Sequence, residues 1–448
     1  MAEEIPILGN MLSQGRFHPT GEPAELIFQD GITGRNYISI DKPTLFRNLL
    51  LIGSAGSGKT TIINQAFRQL RDPAADNPKD RYFAIVFDTK ADYVAHRDFL
   101  RPGDYIIGNS SKFRRRSAAW NIFAEVLADG EDPEDYEANA REIASILFEG
   151  RGSTTQPFFA NAARDLFAYS IIYFIRRYKD KGGAWLGNLN NQALCSFLHN
   201  YKAEQLGEMF GIYKDMRFLQ SYFGNGTSNQ ALGVFAELYS MLSDCFQGIF
   251  DRPSTLENGF SIRKAVRQKG NHALFIEYDM ALGHILTPMY RLLVDLALKE
   301  ALSTQTTPGR TYLVLDELKL LPKLTHLQDA LNYGRSRHVA VLGGIQTVDQ
   351  LYSIYGDHLA QEILEGFGSL FALKTTDHAS REYIAKRFGP NVTGYRYYSA
   401  SHAPVDRERE GYVVEHHHQQ ALQRGQAVVG LASQSEPFLF QFDRDRFA

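Results

Sequence analysis

A short run of residues, Gly53 to Thr60, has the types and spacing that bind a phosphate group. It reads Gly-Ser-Ala-Gly-Ser-Gly-Lys-Thr and fits the P-loop pattern G-x-x-x-x-G-K-[ST]. Glycines let successive backbone N–H groups turn inward around a phosphate, and a helix that begins there adds partial positive charge. The sequence therefore predicts a nucleotide site. Its predicted binding residues are Gly53, Ser54, Ala55, Gly56, Ser57, Gly58, Lys59, Thr60 and Thr61.

A second motif, Leu313-Val314-Leu315-Asp316-Glu317, supplies the acidic half of such a site. We expect Asp316 to hold Mg²⁺ together with the hydroxyl of Thr60. Glu317 is expected to orient and polarise the attacking water, and Lys59 to reach the β- and γ-phosphates. The alternative is a buried strand capped by two solvated carboxylates. A glutamate directly after the metal-binding aspartate favours hydrolysis of ATP with Mg²⁺ over phosphate transfer to a small molecule.

Two further polar residues follow the acidic motif. Gln346 ends the apolar run Val339–Gln346. In RecA-like sheets that strand lies between the P-loop strand and the acidic strand, so Gln346 would face the γ-phosphate as a sensor or position water. The alternative is an ordinary polar strand end. Arg335 follows an amphipathic helix and is expected to reach the γ-phosphate of a neighbouring subunit as an arginine finger. The alternative is a cation favoured by the helix dipole.

Short apolar runs alternate with helical patterns along most of the chain. Strands are predicted at Phe46–Ile52, Tyr82–Asp88, His272–Glu277, Tyr312–Asp316, Val339–Gln346 and Leu370–Lys374. Strands that alternate with helices favour the α/β class, with a mostly parallel sheet covered on both faces. Residues 184–260 show helical periodicity without a convincing strand. We predict that this segment is an all-α domain inserted into the α/β core.

The composition excludes several classes of protein. The net charge is −3, so nucleic-acid contacts must come from local patches or from a channel in an oligomer. The cysteines Cys195 and Cys245 are too few for a disulfide scaffold and fit a reducing cytoplasm. No apolar run approaches the ~20 residues that a membrane-spanning helix needs. We therefore expect a cytoplasmic location and no membrane segment in this chain.

Two basic runs stand out against this nearly neutral background. The first contains Lys112, Arg114, Arg115 and Arg116, with Phe113 interleaved. Such clusters can contact phosphate backbones, although the sequence alone favours a solvated loop. The second run contains Arg176, Arg177, Lys179 and Lys181 and is predicted to be the solvated C-terminal end of a helix.

Several segments, taken in order, resemble the conjugative coupling proteins of type IV secretion systems, the TraD/TrwB kind within the HerA/FtsK group of hexameric DNA pumps. NLLLIGSAGSGKTTIINQ resembles the family's P-loop segment, and AIVFDTKADYV resembles its next strand, with Asp88 and Asp92 matching. YIIGNSSKFRRRSAAWNIFAE resembles a stretch with an Asn and a later Trp, here Asn109 and Trp120. Most specific is VLDELKLLPKLTHLQDALNYGRSRHVAVLGGIQTVDQLYSIYG, which has the family's acidic motif, helix, Gly-Arg and strand-to-Gln spacing.

The resemblance implies a RecA-like P-loop ATPase core with an inserted all-α domain. It implies a homo-hexameric ring that pumps DNA through its centre on ATP and Mg²⁺. Single-stranded DNA bound without sequence specificity, a relaxase and secretion-channel proteins are the expected partners. The expected domains are an N-terminal flap with short strands at 1–45, the nucleotide-binding domain at 46–183 and 261–448, and the all-α insertion at 184–260.

Family members usually begin with two transmembrane helices, and the sequence predicts none here. The chain is then either a naturally soluble relative or a cytosolic part, held peripherally at the inner face of the cell membrane through partners. The principal function predicted is a DNA-translocating coupling ATPase. The alternatives are a soluble HerA-like helicase in repair or defence, a coupling ATPase that recruits protein substrates, and a nucleotide-dependent scaffold without turnover.

Overall fold

The computed structural model describes residues 4–8, 12–14, 23–32, 34–71, 80–95, 99–152, 157–223, 228–305, 307–398 and 404–443. The chain divides into two compact units. The sheet unit consists of Met1–Gly103, Lys269–Ala273 and Ala301–Ala448. The helical unit consists of Asp104–Gln268 and Leu274–Glu300.

The strands, in chain order, are β1 (Glu4–Leu8), β2 (Ser13–Gln14), β3 (Ala24–Gln29), β4 (Tyr37–Asp41), β5 (Leu49–Ile52), β6 (Tyr82–Asp88), β7 (Tyr105–Ile107), β8 (His272–Glu277), β9 (Arg310–Leu315), β10 (Val339–Ile345), β11 (Ser369–Leu373), β12 (Pro390–Tyr398), β13 (Pro404–Tyr412), β14 (Gln426–Gly430) and β15 (Phe438–Gln441).

The α-helices are α1 (Lys42–Leu45), α2 (Lys59–Leu70), α3 (Asp92–Ala95), α4 (Ile122–Val126), α5 (Pro133–Phe148), α6 (Pro157–Lys181), α7 (Gly183–Leu186), α8 (Asn191–Asn200), α9 (Ala203–Gly211), α10 (Gln220–Phe223), α11 (Asn229–Cys245), α12 (Ile262–Gln268), α13 (Gly283–Leu302), α14 (Leu327–Tyr333), α15 (Asp349–Glu365), α16 (His378–Phe388) and α17 (His416–Ala421).

The main sheet of the sheet unit runs in the order β2-β15-β14-β11-β5-β10-β9-β6. Its central strands β11, β5, β10, β9 and β6 pair in parallel, and β14 joins β11 antiparallel. Every residue of β5, β6 and β10 is buried, because a parallel sheet is covered on both faces. The predicted α/β class with a mostly parallel sheet is confirmed.

The helical unit packs around α5 and α6, and it also contains β7 and the Leu274–Glu277 part of β8, which pair in parallel. Stacked rings such as Phe123 on Phe174, with centroids 5.6 Å apart, fill its interior. This unit contains the predicted insertion at 184–260 and also residues 104–183. A compact unit does not by itself show where one domain is inserted into another. The predicted domain boundaries therefore stay a prediction.

A hairpin of β12 and β13 was not predicted. The two strands pair antiparallel, with β1 on the other side of β12. Within β13 the sequence reads PVDREREGY, which lacks the apolar alternation that marks a half-buried strand. Within the described ranges, every helix is too short or too polar to cross a lipid bilayer.

Candidate nucleotide site

The P-loop lies between the end of β5 and the start of α2. Gly56 and Gly58 adopt φ values of 76° and 115°, which L-residues with a side chain rarely take. Gly53 is fixed by space instead, since a Cβ there would lie 2.6 Å from the Ser57 Oγ and 2.8 Å from the Leu373 Cβ. The glycine spacing therefore follows from the turn itself.

Lys59 begins α2 and is held inside the loop. Its side chain is 7% exposed, and the Nζ donates to the Gly53 carbonyl and, at 3.4 Å, to the Ser54 carbonyl. Burial lowers the pKa of Lys59, while the charges of Glu317 and Asp316 raise it. The ammonium group is thus poorly hydrated and surrounded by groups that a phosphate could replace as hydrogen-bond partners.

Thr60 and Asp316 meet across the sheet. The Thr60 hydroxyl donates to the Asp316 Oδ2 at 2.8 Å, and Asp316 follows directly on β9. Burial raises the pKa of Asp316, and the hydrogen bond from Thr60 opposes that rise. A hydroxyl beside a carboxylate is the set of hard oxygen donors that Mg²⁺ prefers. The pair therefore fits a magnesium site.

Glu317 and Gln346 form the second polar pair. The Gln346 Nε2 donates to the Glu317 Oε2 at 2.8 Å, whereas the Glu317 Oε1 is buried and has no hydrogen-bond partner among the described residues. Burial is the largest cause of the raised pKa of Glu317, and the bond from Gln346 lowers it. Strand β10, which precedes Gln346, lies between β5 and β9, as the sequence analysis predicted.

These groups line one cavity of about 230 Å³ at the carboxyl ends of the parallel strands. It brings together Lys59, Thr60, Asp316, Glu317 and Gln346 with most of the P-loop. The roles assigned to these residues from sequence stay predictions. The lining residues are Ala55, Gly56, Gly58, Lys59, Thr60, Thr61, Thr89, Lys90, Asp316, Glu317, Gln346 and Arg424.

Arg335 does not line this cavity. It lies exposed in the turn Gly334–Arg337, which precedes the amino end of β10, whereas Gln346 follows the carboxyl end of the same strand. Arg335 is therefore at the opposite edge of the sheet from the cavity of its own chain. An action on a neighbouring subunit stays a prediction.

The cavity wall also contains two cationic side chains that the sequence did not predict to be part of the nucleotide site. Lys90 follows β6, and Arg424 precedes β14. No ion-pair partner of Arg424 is found in the described part of the chain. The Gly425 N–H donates to the Ser57 carbonyl at 2.8 Å and so fixes Arg424 against the P-loop. No local motif marks Arg424, because this contact joins distant parts of the chain.

Asp88 supports the turn that carries Thr89 and Lys90 but does not line the cavity. Its carboxylate accepts backbone N–H bonds from Asp92 at 3.0 Å and from Val94 at 3.0 Å. Burial raises the pKa of Asp88 to about 6, although these bonds lower it. Asp88 therefore caps the end of β6 and is not part of the cavity wall.

The curated relative Coupling protein TraD of Escherichia coli (strain K12) is 21% identical over 371 residues, which cover 79% of this chain and 45% of TraD. The chain thus spans less than half the length of that relative.

Several solved structures share the fold. The unbound coupling protein TrwBdeltaN70 superposes with a TM-score of 0.75 at 21% identity, covering 100% of this chain and 95% of that one. VirB4 of Thermoanaerobacter pseudethanolicus gives a TM-score of 0.54 at 14% identity, covering 96% and 98% of the two chains.

Residues 36–423 match the family described as the type IV secretion-system coupling protein DNA-binding domain. This match spans the P-loop, the acidic motif, Gln346 and the helical unit. The chain belongs to the type IV secretion-system coupling protein family.

Proposed function

We propose that this chain is an ATP-hydrolysing motor that moves DNA as the coupling ATPase of a conjugative, type IV secretion system. The observation that carries the proposal is a cavity lined by Lys59, the Thr60–Asp316 pair and Glu317, whose buried Oε1 has no hydrogen-bond partner among the described residues. A buried carboxylate oxygen is costly to leave unpaired. A water molecule beside a bound nucleotide would supply the missing hydrogen bond.

The cavity fits a nucleoside triphosphate with Mg²⁺. Lys59 and the N–H groups of the loop would hold the phosphates, and Thr60 with Asp316 would hold the metal ion. When bound, Mg²⁺ supplies positive charge that offsets the charge of the phosphates. The structures titled as TrwB in complex with ADP and Mg²⁺, and with a non-hydrolysable ATP analogue, support this assignment.

Each polar residue then has a distinct task. Glu317 orients the attacking water through its free oxygen, while Gln346 holds the other oxygen of the same carboxylate in place. The raised pKa of Glu317 makes it a stronger base than an exposed glutamate. Lys59 neutralises charge on the outer phosphates without having to shed a full hydration shell.

The remaining parts of the proposal concern partners. We infer a homo-hexamer in which Arg335 of one subunit acts on the nucleotide of its neighbour. Arg335 is exposed and lies at the edge of the sheet opposite the cavity of its own chain. The family description supports DNA as the moved substrate. A relaxase and channel proteins would deliver and receive that DNA.

The proposal is tested by steady-state ATP hydrolysis with and without single- or double-stranded DNA, across a range of protein concentrations. We expect the rate per subunit to rise with DNA and with concentration, since a ring must assemble to place Arg335. The Lys59→Ala variant should show no hydrolysis at any concentration.

Two results would contradict the proposal. Hydrolysis that is indifferent to DNA would favour a coupling ATPase that recruits proteins. Nucleotide binding without turnover in the parent chain would favour a scaffold that assembles on ATP. Mixing Arg335→Gln subunits with Lys59→Ala subunits tests whether the arginine acts in trans. If it does, the intact Arg335 of a Lys59→Ala subunit restores ATP hydrolysis at a neighbouring Arg335→Gln subunit. If Arg335 only stabilises its own turn, mixing does not raise the rate.

A further inference from the structure

The first basic run forms an exposed turn of the helical unit. Arg114–Arg116 are one turn of 3₁₀-helix, and Lys112 precedes it. All four cationic side chains are exposed, while Phe113 between them is 3% exposed and anchors the turn. A 3₁₀-helix has about three residues per turn, so consecutive arginines point in different directions. The turn therefore presents a fan of positive charge.

The backbone of this turn is held by several hydrogen bonds to neighbouring polar groups. The Ser117 hydroxyl donates to the Gly108 carbonyl at 2.7 Å and accepts from the Gly108 N–H at 2.9 Å. The Arg114 Nε donates to the Asn109 carbonyl at 3.0 Å, and Arg252 donates to the Arg114 carbonyl. The Asn109 side chain is itself fully buried. These contacts fix the position of the turn within the helical unit.

The second basic run shows what an ordinary charged helix end looks like in the same unit. Arg176 is paired with Glu137 at 2.7 Å and with Asp215 at 2.8 Å. Lys179 donates to the Glu131 carbonyl, and Lys181 lies 5.2 Å from the centroid of the Trp185 ring. These cations are used within the chain.

The cations of the first run are not used in this way. Within the described ranges, the side chains of Arg115 and Arg116 have no ion pair, hydrogen bond or ring contact, and the Lys112 ammonium contacts only the Phe113 ring at 5.1 Å. Opposite charge from outside the chain would therefore be bound without first breaking an internal pair. This matters in a chain whose net charge is −3 and which cannot attract polyanions as a whole.

We propose that the turn of Lys112, Arg115 and Arg116 is a contact site for the sugar–phosphate backbone of the DNA that the motor moves. A fan of cations matches successive phosphates along a strand, whereas a single small anion needs side chains that converge. Contacts of this kind carry no base sequence information, which suits a pump. This inference rests on the proposed function, since it places the substrate of that motor.

The test compares two variants of the full chain that each lose two exposed positive charges of the helical unit. One is Arg115→Gln with Arg116→Gln, and the matched control is Lys179→Gln with Lys181→Gln. Binding of a labelled single-stranded oligonucleotide of mixed sequence is measured by fluorescence anisotropy at several salt concentrations. For the first variant we expect roughly tenfold weaker binding near 0.1 M salt. Its slope of log K against log salt should fall by about 1.4, since each lost phosphate contact on a single strand removes about 0.7.

One result would uphold the inference, and three would overturn it. It is upheld if only the first variant loses affinity and slope, with ATP hydrolysis in the absence of DNA equal in all three chains. It is overturned if both variants behave alike, or if the first variant instead loses binding of poly-glutamate, which would point to an acidic protein. A parent chain that binds no oligonucleotide overturns the proposed function as well, so the two failures can be told apart.

Discussion

Glu125 in the helical unit is fully buried and Glu317 in the sheet unit is partly buried. Burial raises the pKa of both carboxylates, and their hydrogen bonding differs. Glu125 is fully buried and accepts hydrogen bonds on both oxygens, from the Trp120 ring, the Ser261 hydroxyl and two backbone N–H groups. Glu317 has one satisfied oxygen and one without a partner in the described part of the chain.

The difference distinguishes a carboxylate that stabilises the fold from one that can take part in a reaction. A carboxylate whose oxygens are all occupied holds the chain together and has no capacity left for a substrate. A carboxylate with one unoccupied oxygen in a cavity is available to bind water or ligand. Burial and a raised pKa are common to both groups, so neither property alone identifies a reactive residue.

The largest expected effect comes from Glu317→Gln. The rate of ATP hydrolysis should fall by about 10²–10⁴-fold, which is the usual contribution of a general base. Nucleotide affinity should change little, because Lys59 and the P-loop remain. The amide oxygen can still accept from Gln346, so the unfolding midpoint should also stay within error. The measurements are steady-state turnover and titration with a fluorescent ATP analogue.

The matching change in the helical unit is Glu125→Gln, and it should act in the opposite way. Each Glu125 oxygen accepts a backbone N–H, from Ile262 at 2.9 Å on one and from Arg263 at 2.9 Å on the other. Either orientation of the amide then faces a donor, which should lower the free energy of unfolding by about 3 kcal/mol. Urea unfolding followed by far-UV circular dichroism gives this number.

These two variants together test whether occupancy of the carboxylate oxygens distinguishes the two sites. If Glu125→Gln reduces turnover per folded molecule as strongly as Glu317→Gln does, occupancy of the oxygens is not what distinguishes the two sites. If Glu317→Gln loses nucleotide binding in parallel with turnover, Glu317 is part of the binding surface rather than a positioned base.

Asp88 is a further buried carboxylate, and its contribution to stability depends on pH. Its folded pKa of about 6 lies above the usual aspartate value of 3.8, so the folded state binds the proton more tightly than the unfolded state. Stability from this group is therefore gained as pH falls through 6. Relative to Asp88→Asn, the parent should gain about 1 kcal/mol of unfolding free energy between pH 7.5 and pH 5. Urea midpoints at the two pH values test this, and a difference that does not change with pH would contradict it.

Arg424→Gln should give the smallest effect. The side chain is exposed and screened by solvent, so its contribution to phosphate binding is at most ~1 kcal/mol. We expect the KM for ATP to rise about fivefold at low salt, with kcat within about twofold, and the difference to shrink as salt is added. A lowered kcat with unchanged KM would instead place Arg424 among the groups that act in the transition state.

The sequence predicted those parts of the molecule that a local pattern determines. Strands β6 and β8 have the predicted bounds, because continuous apolar runs mark strands that are buried on both faces. Lys59, Thr60, Asp316 and Glu317 were found because the loop and the strand end each carry their chemistry within a few residues.

What sequence reasoning missed depends on contacts between distant residues. Arg424 reaches the cavity only because Gly425 bonds to Ser57, and nothing near Arg424 in the sequence signals this. The β12–β13 hairpin lacks the apolar alternation from which strands are predicted. Likewise, the two basic runs look alike in sequence. Arg176 forms ion pairs, whereas the side chains of Arg115 and Arg116 form none with the described residues. The difference depends on which acidic side chains the fold brings near.

The bond between the Gly425 N–H and the Ser57 carbonyl also orders events during synthesis of the chain. The P-loop leaves the ribosome long before residue 425 is added, and at roughly 5–20 residues per second the interval is on the order of tens of seconds. Throughout that time the nascent chain already carries the P-loop sequence, but it lacks Arg424 and the strand β14 that follows it. The nucleotide affinity of the complete chain should therefore appear late in translation, after the strands β14 and β15 have emerged.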